Sequence, residues 1–493
     1  MSDELTKLTA GELAQLIRAR QISPVEVVQA HLDYAEKFNP LLNAIVTFAP
    51  DAMERARAAE QQVMRGEALG TLHGVPLTIK DTIETAGLLT TSGSRVRARF
   101  IPQRDASSVA RLKRAGAIIF GKTNVSEMAL TYESDNPVFG RSNNPHDVAR
   151  TPGGSSGGCA AAVGACLSPA GLGSDLVGSI RVPAHFCGIA GLKPTAGVIP
   201  IDGHFPACEG AFALGASIGP LARRVRDLKL IFDALMQADE RGRVITSDAR
   251  QRHAEDHAAF EKELQGSRIG WYVEDGVAPV TKDTRRAIEM AARAFGEAGC
   301  VVVSERPPGI EQGFELCLRL FQGATADYVR AVYLNREEEA GAAARAVMKS
   351  KAVASQINYE RALGERNVWR ARLLEWMQTT PLIIAPVGSV PAFAHGTRKV
   401  FVEDESGKRA RDEEAMSVFR AFSFSQTFNV YGLPVAVVPV LRSEENLPIG
   451  VQIIGRPFEE QLVLAAARVV EEAFGGWQPP PAFALSPDGD DKI

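Results

Sequence analysis

The stretch from residue 151 to residue 222 constrains the fold most. Its 72 residues carry five charged side chains: Asp175, Arg181, Lys193, Asp202 and Glu209. They also carry 15 of the 44 glycines, in a chain that is 23% charged as a whole. A segment so poor in charge has to be buried, and one so rich in glycine has to let backbone approach backbone, or a ligand, closely. The few charges it keeps are then not ordinary solvated ones.

The rest of the 493 residues read as a soluble globular protein, 45% hydrophobic. Lysine plus arginine total 55 and aspartate plus glutamate 59, a formal net charge of −4. That balance gives no global reason to bind nucleic acid or an anionic membrane. The one acidic cluster, Glu337 to Glu339, sits inside a helical stretch. The six cysteines lack both a disulfide framework and metal-ligand spacing, so they read as small buried residues in a reducing compartment. Met1 to Lys7 has no apolar core of a secretory signal. Pro152 to Ser174 is long enough to span a bilayer but is mostly Gly, Ala and Ser, too weakly apolar for a membrane helix. The expected location is the cytoplasm.

Residues 1–68 read as a helical N-terminal segment, a packing layer or the arm of a homodimer. Thr9 with Glu12 and Ser23 with Glu26 are capping boxes, the second with Pro24 at the first helical position. Asn39-Pro40 is expected to end the second helix, and Ala49 to Met64 to form another. Residues 69–485 read as one catalytic unit. Apolar runs at Val75–Ile79, Ala117–Phe120, Ile269–Val273, Val301–Val303, Leu382–Ala385, Val435–Val440 and Gly450–Ile454 predict strands. Helical spacing recurs at Asp105–Arg114, Thr284–Ala298, Glu311–Leu334, Tyr359–Met377 and Glu460–Ala473. The alternation predicts an α/β fold, a sheet layered with helices. The tail, residues 486–493, is polar and expected to fray.

Two short motifs mislead. Gly116 to Thr123 fits a phosphate-loop expression, but Ala117 to Phe120 read as the strand itself, not as a flexible loop. Gly153 to Gly157 fits a nucleophile elbow, but a polar turn, Arg141 to Arg150, stands where the elbow needs a strand. None of His185, His204, His253, His257 and His395 has a recognisable acid–histidine context, and His185 reads as a core residue.

The chemistry points instead to serine and lysine. Ser155 and Ser156 lie in a glycine cluster that opens the helical run Cys159–Cys166, where backbone N–H groups point outward. Ser179 follows Gly178 in backbone able to form a nest of donors. Lys80 ends the apolar run Leu77, Thr78, Ile79, where an ammonium is costly unless it is neutral or paired. Serine–lysine pairs activate a hydroxyl without histidine, provided the amine, ordinarily of pKa about 10.4, loses its proton. The alternative for Lys80 is a buried salt bridge. Asp81 is a poor partner for one, because neighbours on a strand face opposite ways.

The cluster Gly153 to Gly158, then Gly173 to Ala184 (GSDLVGSIRVPA), then Gly191 to Thr195 (GLKPT), with Lys80-Asp81 upstream, resembles the amidase signature family. The likeness extends over Gly70 to Leu228 and more weakly to Leu433-Pro434 and Gly450 to Gly455. It implies a large mixed twisted β-sheet covered by helices on both faces, and a Ser–cis-Ser–Lys triad that needs neither metal nor cofactor. By position Ser179 matches the nucleophile, Ser155 the bridging serine after a cis Gly154–Ser155 peptide, and Lys80 the general base. Leu176, Val177 and Gly178, with Ser179, match the oxyanion-hole donors. Ser156, Ser174, Asp175 and Arg181 match their support. The family usually has Gly-Gly-Ser where this chain has Val177-Gly178-Ser179. A β-branched residue at φ > 0 would be strained, so Val177 is expected to be extended or the loop altered.

Thr123 to Gly140 resembles the branch containing fatty-acid amide hydrolase and general bacterial amidases. That likeness puts Ala129 and Leu130 in an acyl pocket; ordinary helix packing is the competing reading. The function implied is hydrolysis of a small-molecule linear amide to an acid and ammonia or an amine. One alternative is the glutamine-hydrolysing A subunit of glutamyl-tRNA amidotransferase. Aligning Asn429–Pro434 puts Phe422, with Phe424 and Phe428 nearby, where that protein has an acid for the glutamine ammonium. A second alternative is a silent scaffold, against which Lys80, Ser155 and Ser179 all stand.

Overall fold

The charge-poor stretch builds the middle of the sheet. The computed structural model describes residues 2–237, 262–402 and 415–483. The strands are β1 (Ile45–Phe48), β2 (Pro76–Lys80), β3 (Ile118–Thr123), β4 (Ala170–Asp175), β5 (Ala190–Lys193), β6 (Ser217–Ala222), β7 (Arg268–Trp271), β8 (Val301–Ser304), β9 (Leu382–Pro386), β10 (Lys399–Val400), β11 (Met416–Ser417), β12 (Val435–Arg442) and β13 (Pro448–Ile454). Eleven of them form one sheet in the order β1-β3-β2-β4-β6-β5-β12-β13-β9-β7-β8, and β10 pairs with β11 separately. β2 runs parallel to β3 and β4, and β7 parallel to β8 and β9. From β4 through β6, β5, β12 and β13 to β9 the pairing is antiparallel.

Helices cover both faces. Gly157–Gly164 and Arg181–Cys187 pack together against the central strands, and Lys282–Glu297, Glu460–Phe474, Val225–Met236 and Ser107–Arg114 touch in succession to form another layer. Strands β2 to β6 are buried along their whole length, so alternation of apolar and polar residues is lost. No helix among the described residues is long and apolar enough to cross a membrane.

β4 reads AGLGSD and β6 SIGPLA, sequences without a strand signature. A Cβ on Gly171 would lie 2.5 Å from the Cys159 sulfur and 2.8 Å from Thr78 Oγ1, and one on Gly219 2.0 Å from the Leu192 carbonyl oxygen. Glycine is there because helix 157–164 and the neighbouring strand lie too close for a side chain. This is the close approach that the glycine count predicted.

Both capping boxes form. The helix begun at Pro24 passes through Pro40 and ends at Leu42, slightly later than expected, with Asn43 in the left-handed conformation. Pro40 has no N–H for the Glu36 carbonyl, and only two further residues continue the helix beyond it. The N-terminal segment is not purely helical, because β1 joins the sheet antiparallel to β3. The run 311–334 carries a π turn at Leu318–Gln322 between the helices Gly313–Cys317 and Gly323–Val332. The last six residues of the phosphate-loop match, Ile118–Thr123, are β3 and buried, with Lys122 donating to the Ile83 carbonyl and to Thr90. The expected tail, His253 and His257 lie outside the described residues.

Candidate functional site

Lys80 is the last residue of β2, beside Ser174 near the end of the parallel neighbour β4. Its side chain is fully buried. Nζ lies 2.7 Å from Ser155 Oγ, 3.0 Å from Ser174 Oγ and 3.2 Å from the Ser174 carbonyl oxygen. Burial lowers its pKa to about 7, against the opposing pull of the Asp175 carboxylate. Asp81 is not its partner: that carboxylate accepts from the Thr91 N–H at 3.0 Å and hydroxyl at 2.6 Å.

Ser155 follows the cis peptide Gly154–Ser155. The Ser134 hydroxyl holds the turn, accepting from Gly157 N–H at 2.9 Å and lying within reach of the Gly153 and Ser155 carbonyls. Ser156 ties the two serine segments together. Its N–H donates to the Ser179 carbonyl at 3.2 Å and its hydroxyl to the Ser174 carbonyl at 3.2 Å.

The loop 176–180 is wound around Asp175. Its carboxylate accepts from Gly178 N–H at 2.8 Å and from Ile180 N–H at 3.0 Å, and pairs with Arg181 at 2.9 Å with neither side chain exposed. Arg181 reaches on to the Ser425 carbonyl and to Gln452 Oε1, each at 2.7 Å, and Asn429 Nδ2 donates to Asp175 at 2.9 Å. Burial raises the Asp175 pKa, but the adjacent guanidinium outweighs it and holds the carboxyl well below the usual range. Replacing Arg181 by leucine strands that carboxylate. The expected cost is about 3–5 kcal/mol, read as a lower urea midpoint and Tm; an unchanged midpoint would assign the pair no structural weight.

Val177 keeps a negative φ, and Gly178 takes the left-handed value of +118°. The valine is therefore unstrained, and the loop stays intact because the demanding position falls on glycine. A Cβ on Gly178 would come within 3.0 Å of Ser425 Cβ. One expectation changes. The Val177–Gly178 peptide is clamped at both ends, its carbonyl accepting from Tyr132 Oη at 2.5 Å and its N–H spent on Asp175. Gly178 is therefore not a free donor. The N–H groups of Leu176, Val177 and Ser179 have no hydrogen-bond acceptor among the described residues.

Ser155, Ser174 and Ser179 open on one cavity of about 620 Å³. Its walls are mainly apolar, including Met128, Leu176, Phe212, Phe321, Val329 and Phe419. Ala129 and Leu130 line it too, in a turn where Met128 and Ala129 have φ of +51° and +60°. Among the described residues Asp175 is the only charged one in the lining, and Arg181 neutralises it. Phe422 is not in the wall; it packs behind it against Tyr132, Phe186 and Phe393.

The structure thus joins Lys80, Ser155 and Ser174 by direct hydrogen bonds, and Ser179 lines the same cavity as the two serines. Among the described residues no hydrogen bond joins the Ser155 and Ser179 hydroxyls. Two residues carry no role in the sequence reading. Tyr132 lies 45 residues from the carbonyl it holds, and His204 lies 30 residues from Ser174, to whose hydroxyl its Nε2 sits at 2.8 Å. The only signal for His204 was its place inside the charge-poor stretch.

A family profile described as Amidase matches residues 26–464. The A subunit of glutamyl-tRNA(Gln) amidotransferase from Thermus thermophilus is 34% identical over 487 residues, covering 94% of this chain and 97% of that protein. Fatty-acid amide hydrolase 2-B of Danio rerio is 30% identical over 519 residues, covering 97% and 92%. Among solved structures, a bacterial aryl acylamidase of the amidase signature family superposes with a TM-score of 0.81 at 27% identity, covering 94% of this chain and 96% of that one.

Proposed function

Because this chain belongs to the amidase signature family, we propose that it is a stand-alone hydrolase of uncharged linear amides acting through Ser179, Ser155 and Lys80. The observation that carries the reading is a buried amine of pKa about 7, 2.7 Å from a serine hydroxyl, at the foot of an apolar cavity that a second serine lines. At pH 7 about half of such amines are neutral and able to act as a base, and the share grows as pH rises.

In this mechanism Ser179 Oγ attacks the amide carbonyl. Its proton passes to Ser155, whose own proton passes to Lys80. The N–H groups of Leu176, Val177 and Ser179 receive the developing oxyanion, each such donor being worth about 2.7–4 kcal/mol. The intermediate collapses, the C–N bond breaks, and Lys80 returns a proton through Ser155 to the departing nitrogen. Water then attacks the acyl-enzyme by the same relay and releases the acid. The Ser155–Ser179 link is a step that the substrate complex completes, as catalytic hydrogen bonds in unliganded sites commonly are.

The names of several relatives favour a second reading, a glutamine-hydrolysing component of a larger complex. Glutamine brings an ammonium and a carboxylate, and burying either without a partner is costly. Among its described residues this cavity offers no unpaired charge to meet them, which supports an apolar or aryl acyl group instead. The test uses the purified chain with no partner protein or tRNA. We expect a serine-directed fluorophosphonate to label Ser179, and neutral aliphatic or aryl amides to be hydrolysed in preference to glutamine. Absence of both labelling and turnover would leave the scaffold; turnover of glutamine alone would restore the second reading.

A further inference from the structure

Hydrogen-bond directions around Lys80 follow from one carbonyl outside the triad. His204 Nδ1 lies 2.8 Å from the Pro206 carbonyl oxygen. A carbonyl only accepts, so Nδ1 carries a proton. The Cys208 sulfur, 3.5 Å from Nδ1, is also 3.5 Å from the same carbonyl and can donate there instead. Burial, with Lys80 and Arg97 nearby, lowers the imidazole pKa to about 4, so the ring is neutral at pH 7 and Nε2 is an acceptor. The group 2.8 Å from Nε2 is Ser174 Oγ, which must therefore donate.

That fixes the next bond. With its proton turned toward His204, Ser174 Oγ can only accept from Lys80 Nζ at 3.0 Å. The Ser174 carbonyl accepts the second Lys80 proton at 3.2 Å. A neutral amine has two N–H bonds, and both are now used. What remains is its lone pair, and the remaining contact is Ser155 Oγ at 2.7 Å.

We propose that His204 is a positioning residue, whose hydrogen bond to Ser174 turns that hydroxyl away from Lys80 and leaves the lysine lone pair for Ser155. The inference rests on the role assigned to Lys80 under the proposed function. Without His204 the Ser174 hydroxyl rotates and donates to Lys80, competing with Ser155 for the single lone pair.

The tautomer is read directly. In protein labelled with 15N-histidine, the His204 signals, identified by their loss in His204→Leu, are expected to report Nδ1–H with unprotonated Nε2 at pH 7. The Nε2–H tautomer would overturn the proposal whatever the activity. For the kinetic arm, His204→Leu is expected to lower kcat, and the rate of fluorophosphonate labelling, by about 10-fold, the worth of one redirected buried hydrogen bond. His204→Gln, whose side-chain oxygen can accept from Ser174, is expected to recover most of that loss. In a Ser174→Ala background His204→Leu is expected to cost nothing further. A loss that persists in that background, or one that glutamine fails to repair, would show a packing role and overturn the assignment. The tautomer needs no turnover, so a protein with the expected ring state but no amidase activity would fail the proposed function alone. Full turnover with the wrong tautomer would fail only this inference.

Discussion

Replacing Ser179 by alanine is expected to lower kcat by about 10⁴-fold or more, the size of loss that follows removal of a covalent nucleophile, with folding intact. Ser179 is nearly buried, and its hydroxyl opens on the cavity. Alanine removes one oxygen and leaves the loop as it is. The Gly178 and Ile180 N–H groups still bind Asp175, and the backbone carbonyl of residue 179 still accepts from Ser156. Ground-state binding should change little, so the loss belongs in kcat and not in KM. Ser156→Ala gives the contrast, since that hydroxyl serves the Ser174 carbonyl; its effect should be smaller by orders of magnitude. Single-turnover kinetics with circular dichroism check both variants. A Ser179→Ala enzyme within tenfold of wild type would remove the proposed nucleophile and the acyl-enzyme with it.

Where burial is two-sided and apolar, the fold was legible. Val435–Val440 and Leu382–Ala385 announce strands because β-branched and aliphatic side chains fill both faces of a central strand. β4, β5 and β6 do not, although they lie at the centre, because contact distance chose glycine and alanine there over strand formers. Their sequences record the helix above them, not the strand itself. The π turn at Leu318–Gln322 is equally silent, since its residues keep ordinary helical spacing.

The site divides along similar lines. Lys80, Ser155 and Ser179 were recoverable because each stands at a conspicuous place in a short local pattern. The consequences of their neighbours were not. That Gly178 is spent on Asp175, and that His204 orders the Ser174 hydroxyl, depend on groups 3 and 30 residues apart brought together by turns. Donor–acceptor direction is a property of the closed network, and no single residue in it carries that information.

Exchanging Lys80 for arginine is expected to be as damaging as losing Ser179. Arginine keeps a positive charge and donors for Ser155 and Ser174, so a merely electrostatic or structural role would survive in part. It cannot release its proton in the accessible pH range, so a base would not. The loss should be about 10⁴-fold, as for other residues that act as one unit with a nucleophile, and should not recover as pH is raised; Lys80→Met should lose as much. In the wild type, kcat/KM should rise as pH climbs through about 7 and level off above it. The sign follows because the active form is the neutral amine, whose population grows as pH passes the lowered pKa. Lys193, also buried and also lowered to about 7, could mimic this limb, as could Lys122, lowered by burial to about 8. Lys193 bonds to the Pro194 carbonyl at 2.9 Å and to Ser217 at 3.4 Å, away from Ser155, so Lys193→Met should keep the limb. Rates that stay flat across neutral pH, or a limb that disappears with Lys193, would take the base away from Lys80.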